Sequence, residues 1–501
     1  MNYFKKLIIA SVVGILILGG ITSCKKLDLI NPNESTVNTF WVNKTAAVKG
    51  VNAIYAALGR PGTYMQWFYF VTDASSDLGF STSPWTDLSN ISKFTYTNYN
   101  FTVNYGTWND HYRGIFRANQ VLNYVPGIKM DTTLKNRLLG EAHFLKALFY
   151  YNLVNLYGNV PLATKLNVGA DQLKGYRQEG IPAVWNLIEQ DLLFAQKHLP
   201  TKYDAQNLGR ATWGAATALL AKAYMQQHKY SEALPLFKEI VASGIYSLIP
   251  NYENNFRHTD ENNAESIFEV QFSHQFDNGP WQDGTAGSSV GTDRARNFSP
   301  VGWSDVEATA YYVDIFKKYH DPRLNATYIY PNTTQKYYGL SYNAMPRTGG
   351  RVSNWFNKYT RSYYVDVAGA RDWDSPINYR VIRYGGILLL YAEALHKTGN
   401  DTKALALVQQ VRDRVGAGPS PFLSLGVGKV IEWERIFELS GESQRFFDMR
   451  RYGYFTDQNE INRIATIDYE FKHFRTATKG YLPIPTREID LNPYVKQNPG
   501  W

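Results

Sequence analysis

The stretch that decides the fold is Thr217–Ile240, TALLAKAYMQQHKYSEALPLFKEI. Leu220, Ala221 and Tyr224 fall at the three- and four-residue steps of one helix face, and Ala233 and Phe237 repeat the step further on. Between them lies a polar break, His228-Lys229-Tyr230-Ser231. A break this short folds the second helix back antiparallel on the first. The small Ala221 and Ala233 let the two backbones approach, and Tyr224 and Phe237 fill the space around that contact. Leu388 to Val411 repeats the arrangement with Tyr391, Ala392, Leu395, Ala404 and Val408 around the break Gly399-Asn400-Asp401-Thr402.

This is the spacing of a tetratricopeptide hairpin. Working outward, apolar periodicity predicts helices over Trp41–Leu58, Trp108–Val125 and Leu134–Leu156, the last ended by Gly158 and Pro161. Pro182–Ala195 reads as the second helix of a broken pair begun at Leu134, and Val430–Tyr452 is helical again. Residues 59–107 and 251–379 are rich in Gly, Ser, Asn, Pro and aromatics and read as long loops, with one strand at Ile267–Phe272. The expected fold is mainly α. A tetratricopeptide-like helical hairpin scaffold (mainly 41–58, 108–250 and 380–455) carries an irregular, loop-rich ligand-binding subdomain (mainly 59–107 and 251–379).

The chain has 501 residues, 15% of them aromatic, 19% charged, and a formal charge of +8. It is too apolar and aromatic for a disordered chain, and long enough for one large body. The charge excess forms no long Lys/Arg run, so nucleic-acid binding gains no support from it. A single cysteine excludes an intramolecular disulfide framework and a multi-cysteine metal site. That cysteine has a telling position. Lys5 and Lys6 precede an apolar run, Leu7 to Ile21, which ends Ile21-Thr22-Ser23-Cys24. Residues 1–23 read as a secretory signal peptide. Small residues before Cys24 resemble a bacterial lipobox, in which the thiol takes a diacylglycerol, and residues 24–40 read as a lipid-anchored polar tether to a body over 41–501. Cleavage removes Lys5 and Lys6 and no acid, leaving +6.

Chemistry is sparse. There is no His-Glu-x-x-His, nucleophile elbow or phosphate loop. Asp110-His111 and Glu141-x-His143 are expected to be structural, since side chains two apart on a helix do not share a face. Asp73 and Asp77 could in principle act as a glycosidase carboxylate pair, but acids accepting hydrogen bonds are the expectation. Glu393, Glu432, Glu434, Arg435, Glu438, Glu442, Arg445, Asp448 and Arg450 crowd apolar helices. They are expected to be structural ion pairs and helix-end contacts, because a buried charge must find a partner. No metal or cofactor is expected.

The aromatics carry the functional expectation. Trp and Tyr offer flat apolar faces to the C–H faces of sugar rings, while neighbouring polar groups bond the hydroxyls. Trp85, Trp281, Trp303 and Tyr338 are the ligand-stacking candidates, with Asp73 and Arg371 as polar partners. The wider set of loop aromatics from Trp281 to Trp373 is expected to be largely exposed.

A series of segments resembles the SusD/RagB family of Bacteroidetes surface glycan-binding lipoproteins. They are Cys24 followed by Asn31-Pro32-Asn33, GEAHFLKALFYYNLVNLYGNVPL at 140–162, GRATWGAATALLAKAY at 209–224, ESIFEVQFS at 265–273, RYGGILLLYAEAL at 383–395, WERIFELSGESQRFFDMRRYG at 433–453 and YLPIPTREIDLNPYVKQNPGW at 481–501. They run in family order over nearly the whole chain. The resemblance implies four tetratricopeptide-like helix pairs on one side, an irregular ligand half on the other and no enzymatic activity. It also implies a lipid anchor outside the outer membrane and a SusC-type TonB-dependent transporter as partner, to which the protein delivers captured oligosaccharide. No family binding residue maps onto Trp85, Trp281, Trp303 or Tyr338, and some members take peptides. Peptide or other nutrient uptake, a surface glycoside hydrolase, and a scaffold that only assembles the transporter remain the alternatives.

Overall fold

The computed structural model describes residues 40–166, 175–274, 291–346, 352–360, 363 and 374–501. Asn43–Trp501 forms one compact unit. Its first helices are α1 (Lys44–Leu58), α2 (Trp67–Asp73), α3 (Thr86–Lys93), α4 (Thr102–Tyr124), α5 (Thr132–Tyr157), α6 (Ile181–His198), α7 (Trp213–Gln226) and α8 (Tyr230–Ala242). Four helices follow in the irregular part and its return: α9 (Arg294–Asn297), α10 (Ala310–Lys318), α11 (Leu324–Thr327) and α12 (Tyr384–Lys397). The chain closes with α13 (Asp401–Arg414), α14 (Val427–Leu439), α15 (Arg445–Arg451), α16 (Gln458–Ile464) and α17 (Thr486–Leu491).

Four helix pairs build the scaffold: α1 with α4, α5 with α6, α7 with α8, and α12 with α13. The expected mainly α, hairpin-stacked fold is what the chain adopts. Ala221, Ala233 and Phe237 are fully buried, and Tyr224 is half-buried beneath the Lys229 ammonium. Phe237 stacks on Tyr391 with centroids 5.8 Å apart, so the core residue of one hairpin is also its glue to the next. The broken pair is real, α6 lying along α5. Caps fix the helix starts. The side chains of Asn43, Asp131 and Thr212 each accept an N–H from the first turn that follows.

Strands are short and paired in twos. β1 (Gly79–Phe80) pairs with β5 (Glu307–Ala308), β2 (Val160–Pro161) with β3 (Gln178–Glu179), and β4 (Ser266–Val270) with β10 (Tyr379–Arg383). β6 (Tyr328–Ile329) pairs with β9 (Trp355–Phe356), and β7 (Lys336–Tyr337) with β8 (Leu340–Ser341).

Three expectations about the helices change. Residues 59–107 are not a run of loops: they hold α2, α3 and the first part of α4, and every residue of α2 is buried. Helix α4 starts at Thr102, six residues before the expected Trp108. Val430–Tyr452 is two helices, because the chain turns over Ser440–Gln444 and sends the Ser443 N–H to Asp73. Most of the described loop aromatics are corrected as well, although Tyr311 is exposed, Trp303 and Tyr338 are half-buried, and Trp281, Tyr364 and Trp373 lie outside the described residues. Tyr312, Tyr328, Tyr330, Tyr337, Tyr342, Trp355, Tyr359 and Tyr363 are all buried. Trp355 forms a core with Ile329, Tyr337, Tyr342 and Met345. Polar neighbours such as Ser353, Asn357, Lys358 and Thr360 are buried with them.

The crowded charges are structural ion pairs, as expected. Arg323, from the irregular half, bonds Asp321 (2.7 Å), Glu434 (2.6 Å) and Glu438 (2.9 Å). Arg383 bonds Glu265, Glu438 and Glu442 at 2.6–2.7 Å. Lys358 reaches Glu442 at 2.7 Å. Glu393 takes a bidentate bond from Arg451, and Asp448 one from Arg435. Arg450 instead donates to the carbonyls of Lys479 and Gly480. These networks tie the loop-rich half to α14 and α15. Losing any one partner would strand a buried charge.

Candidate functional site

The β1–β5 pair organises the site. Its antiparallel register, Gly79 to Ala308 and Phe80 to Glu307, brings the segment leaving β1 (Ser81–Trp85) and the segment entering β5 (Trp303–Val306) out at the same end. Buried Glu307 pins that end. Thr82 Oγ1 donates to one of its carboxylate oxygens at 2.5 Å, and Ser353 Oγ donates to the other.

Trp85 sits at the N-terminal boundary of α3, its N–H donating to Ser83 Oγ at 3.2 Å. Its ring is half-buried and meets the buried Trp67 of α2 edge-on, centroids 5.5 Å apart. Trp303 is also half-buried. The Arg296 guanidinium lies 3.6 Å from the centre of its ring, and its N–H donates to the Arg296 carbonyl at 2.7 Å. This turn requires glycine at 302, because a Cβ there would lie 2.2 Å from the Arg296 oxygen.

Tyr338 is the most informative of the three. It and Gly339 form the two-residue loop of the β7–β8 hairpin with φ of 57° and 75°. Two positive φ values make the primed turn that matches strand twist, where Asn-Gly is the favoured pair. An aromatic residue at such a φ is strained. Tyr338 is held there by its hydroxyl, 2.9 Å from Ser299 Oγ, and by packing against the Trp355 core, which Val301 also touches. Tyr338 and Trp303 therefore flank one turn, Arg296–Trp303. Strain of this kind points from geometry to function.

The register thus puts Trp85 and Trp303 on the two segments that leave the same end of the β1–β5 ladder, and Tyr338 against the turn that carries Trp303. Trp281 and Arg371 lie outside the described residues, as does Cys24. Asp73 is a correction. Expected as a polar partner of a ligand, it is buried, bonded to Arg294 at 3.0 Å, and accepts the Ser443 N–H at 2.9 Å. Burial pushes its pKa up and Arg294 pulls it back. Asp77 is equally committed, to Arg445 and to the Tyr312 hydroxyl at 2.5 Å. Neither carboxylate is presented to a cleft. Arg296, Thr82, Ser299 and Glu307 escaped the sequence reading. Their relevance comes from neighbours far along the chain, and no local pattern marks them.

The remaining acid of note is Asp293, one turn before Asn297. It is wholly buried, and neither carboxylate oxygen has a hydrogen-bond partner. Burial, with Asp374 and Asp305 adding to it, pushes its pKa up to about 8 against the pull of Arg296. His111 is buried too, its Nδ1 2.7 Å from the Thr107 carbonyl, and burial lowers its pKa to about 4. Asp110 pairs with Arg60, and His143 Nδ1 lies 2.6 Å from Asp191. Both motifs thus serve packing. Among the described residues no three His, Cys, Asp or Glu side chains are grouped to hold a metal, and no helix is long and apolar enough to cross a membrane.

A stack of helical hairpins carrying a loop-rich half defines a class of protein, and solved structures share this fold. A SusD superfamily protein from Bacteroides vulgatus superposes with a TM-score of 0.80 at 24% identity, covering 92% of this chain and all of that one. A laminarin-binding SusD-like protein superposes with a TM-score of 0.77 at 28% identity, with the same coverage. Residues 264–501 match the sequence model described as the SusD family, and residues 27–225 the one described as starch-binding associating with outer membrane. The chain belongs to the SusD/RagB family. SusD-like protein P25 of Formosa agariphila is 25% identical over 78% of each chain. The starch-binding protein SusD of Bacteroides thetaiotaomicron is 23% identical over 100% of this chain and 99% of its own.

Proposed function

We propose that this protein binds oligosaccharide at the cell surface without breaking a bond, and passes it to a TonB-dependent outer-membrane transporter of the SusC kind. The observation that carries the reading is that half-buried Trp303 and the strained Tyr338 flank one turn, with Trp85 on the segment that leaves the same end of the β1–β5 ladder. Rings held half-exposed by Trp67, Arg296 and Ser299 are preorganised stacking faces, so a sugar loses little by ordering them. The burial and ion pairing of Asp73 and Asp77 favour binding over hydrolysis. Family membership, a relative named for starch and a structural neighbour named for laminarin support a glycan as the ligand.

In this reading residues 1–23 are removed as the signal peptide, Cys24 carries the lipid, and residues 24–40 tether the body to the outer membrane. Trp281 and Arg371, outside the described residues, are further ligand contacts in this reading. Acyl chains anchor by apolar burial, about 0.8 kcal/mol per buried methylene.

The test is a glycan and peptide array on the mature chain, followed by calorimetry with the best ligand. Saturable binding of one glycan class, weakened by Trp303→Ala with the circular dichroism unchanged, is the expected result. Binding of peptides alone, or release of hydrolysed product, would overturn it.

A further inference from the structure

A small cavity of about 20 Å³ lies where α7, β10, α12 and α14 meet, with the turn into α15 as its last wall. That is room for one occupant of water's size, far below what a sugar needs. None of the residues of the aromatic face contributes to it.

Its lining is unbalanced in charge. Lys222, Arg380, Arg383 and Arg435 contribute to it, against one acid, Glu442. The three arginines are matched one for one. Arg380 pairs with Glu269 at 3.2 Å. Arg383 grips Glu442 through Nε and Nη2 at 2.6 and 2.8 Å, and Arg435 grips Asp448 in the same way at 2.8 and 2.7 Å. Lys222, half-buried on α7, is the cation left over. Its Nζ donates to the neutral Gln444 Oε1 at 2.8 Å and has no ion pair among the described residues. An ammonium carries three donors, so two remain. Burial above all, with Arg435 and Arg451, pushes the Lys222 pKa down to about 7 against the pull of Asp448. A water in the cavity would satisfy a donor and leave the excess charge in place. An anion of water's size satisfies both.

We propose that this cavity is a site for one small monovalent anion, chloride by size and charge, held by Lys222 and flanked by Arg383 and Arg435. The volume excludes phosphate, sulfate and carboxylic acids. The ion ties the α7–α8 hairpin to β10, to α14 and to the turn that sends the Ser443 N–H to Asp73. Binding holds the proton on Lys222, so it weakens as pH rises above about 7. The site is separate from the aromatic face and does not depend on a glycan being the ligand there.

Thermal unfolding of the purified protein in sodium chloride and in sodium gluconate, at equal ionic strength, tests this. At pH 6 chloride should raise Tm over gluconate by about one to two degrees. The gain should shrink at pH 9, where the Lys222 amine has given up its proton. Lys222→Met keeps the stem and removes the charge, and should erase the difference between the two salts. In crystals grown without halide and soaked in bromide, an anomalous peak should lie within hydrogen-bond reach of Lys222 Nζ. The soak reads the native chain, so it does not depend on how the variant folds. Equal Tm in the two salts, a chloride gain that survives Lys222→Met, or a water where the bromide peak is expected would each defeat the proposal.

Discussion

Arg445 grips Asp77 with two parallel bonds, Nε to Oδ1 at 2.8 Å and Nη2 to Oδ2 at 2.7 Å, across 368 positions of sequence. Both side chains are buried, and the same Asp77 oxygen takes the Tyr312 hydroxyl. The pair fastens α15 to the segment that leads from α2 into β1, and so to the strand that carries the aromatic face.

Breaking this pair should therefore unsettle both halves of the molecule. Arg445→Met leaves Asp77 charged in a buried site, a change that costs about 3–5 kcal/mol in comparable pairs. Guanidinium unfolding should show a midpoint shifted well down. An unchanged midpoint would mean that the pair contributes nothing net.

The carboxylates of these networks predict acid lability. Burial alone would raise the Glu432 pKa, but Arg445 and Lys429 outweigh it and hold the group at about 2. Glu438, Glu442 and Asp448 are likewise lowered, burial being outweighed by their arginine partners and, for Glu442, also by Lys358. Groups more acidic folded than unfolded stabilise fully above the ordinary value of 4.5, and lose that contribution as pH falls toward 2. Thermal unfolding should show Tm dropping steeply from pH 5 to pH 2, by about ten degrees or more. A flat profile over that range would sink the argument.

Asp293 has the opposite sign. Burial lifts it from 3.8 to about 8, so between those values the folded chain holds a proton that the unfolded chain releases. Its cost to stability grows as pH rises across that window. Asp293→Asn should raise Tm over the native protein at pH 7.5, by about a few degrees, with the gain fading by pH 4. An equal shift at both pH values would point to packing instead of ionisation.

Trp303 and Trp355 separate ligand face from core. Trp303→Ala should cost about tenfold in glycan affinity with little loss of stability, as for a stacked ring at a surface. Trp355→Ala, at a fully buried ring, should cost about 3–5 kcal/mol of stability. Paired calorimetry and denaturation would expose a reversal of the two roles.

Tyr338→Asn offers a trade. It makes the loop Asn-Gly, the pair suited to two positive φ values, and relieves strain of about 1 kcal/mol. We expect stability to hold or rise while glycan affinity falls about tenfold. Retained affinity would show that the ring is there for packing alone.

Much of the scaffold was legible in the chain because its information is local. Ala221, Ala233 and Phe237 repeat at helix spacing, and caps such as Asn43 and Thr212 act within one turn. The site was legible only in part. Trp85, Trp303 and Tyr338 stood out as aromatics among polar loop residues, but so did Tyr328, Tyr337 and Trp355, which are core. Asp73 looked like a loop acid until Arg294, 221 positions away, claimed it.

By itself, then, the sequence determined the helical hairpins, their order and the family, since periodicity, small residues at contacts and motif order are properties of neighbours along the chain. Only the tertiary structure decided which aromatics face outward and which acids are taken. Exposure and charge pairing depend on segments hundreds of positions apart, such as Phe80 beside Glu307 and Asp77 beside Arg445. Those meetings are set by how the loop-rich half packs on the helices, and no local pattern encodes them.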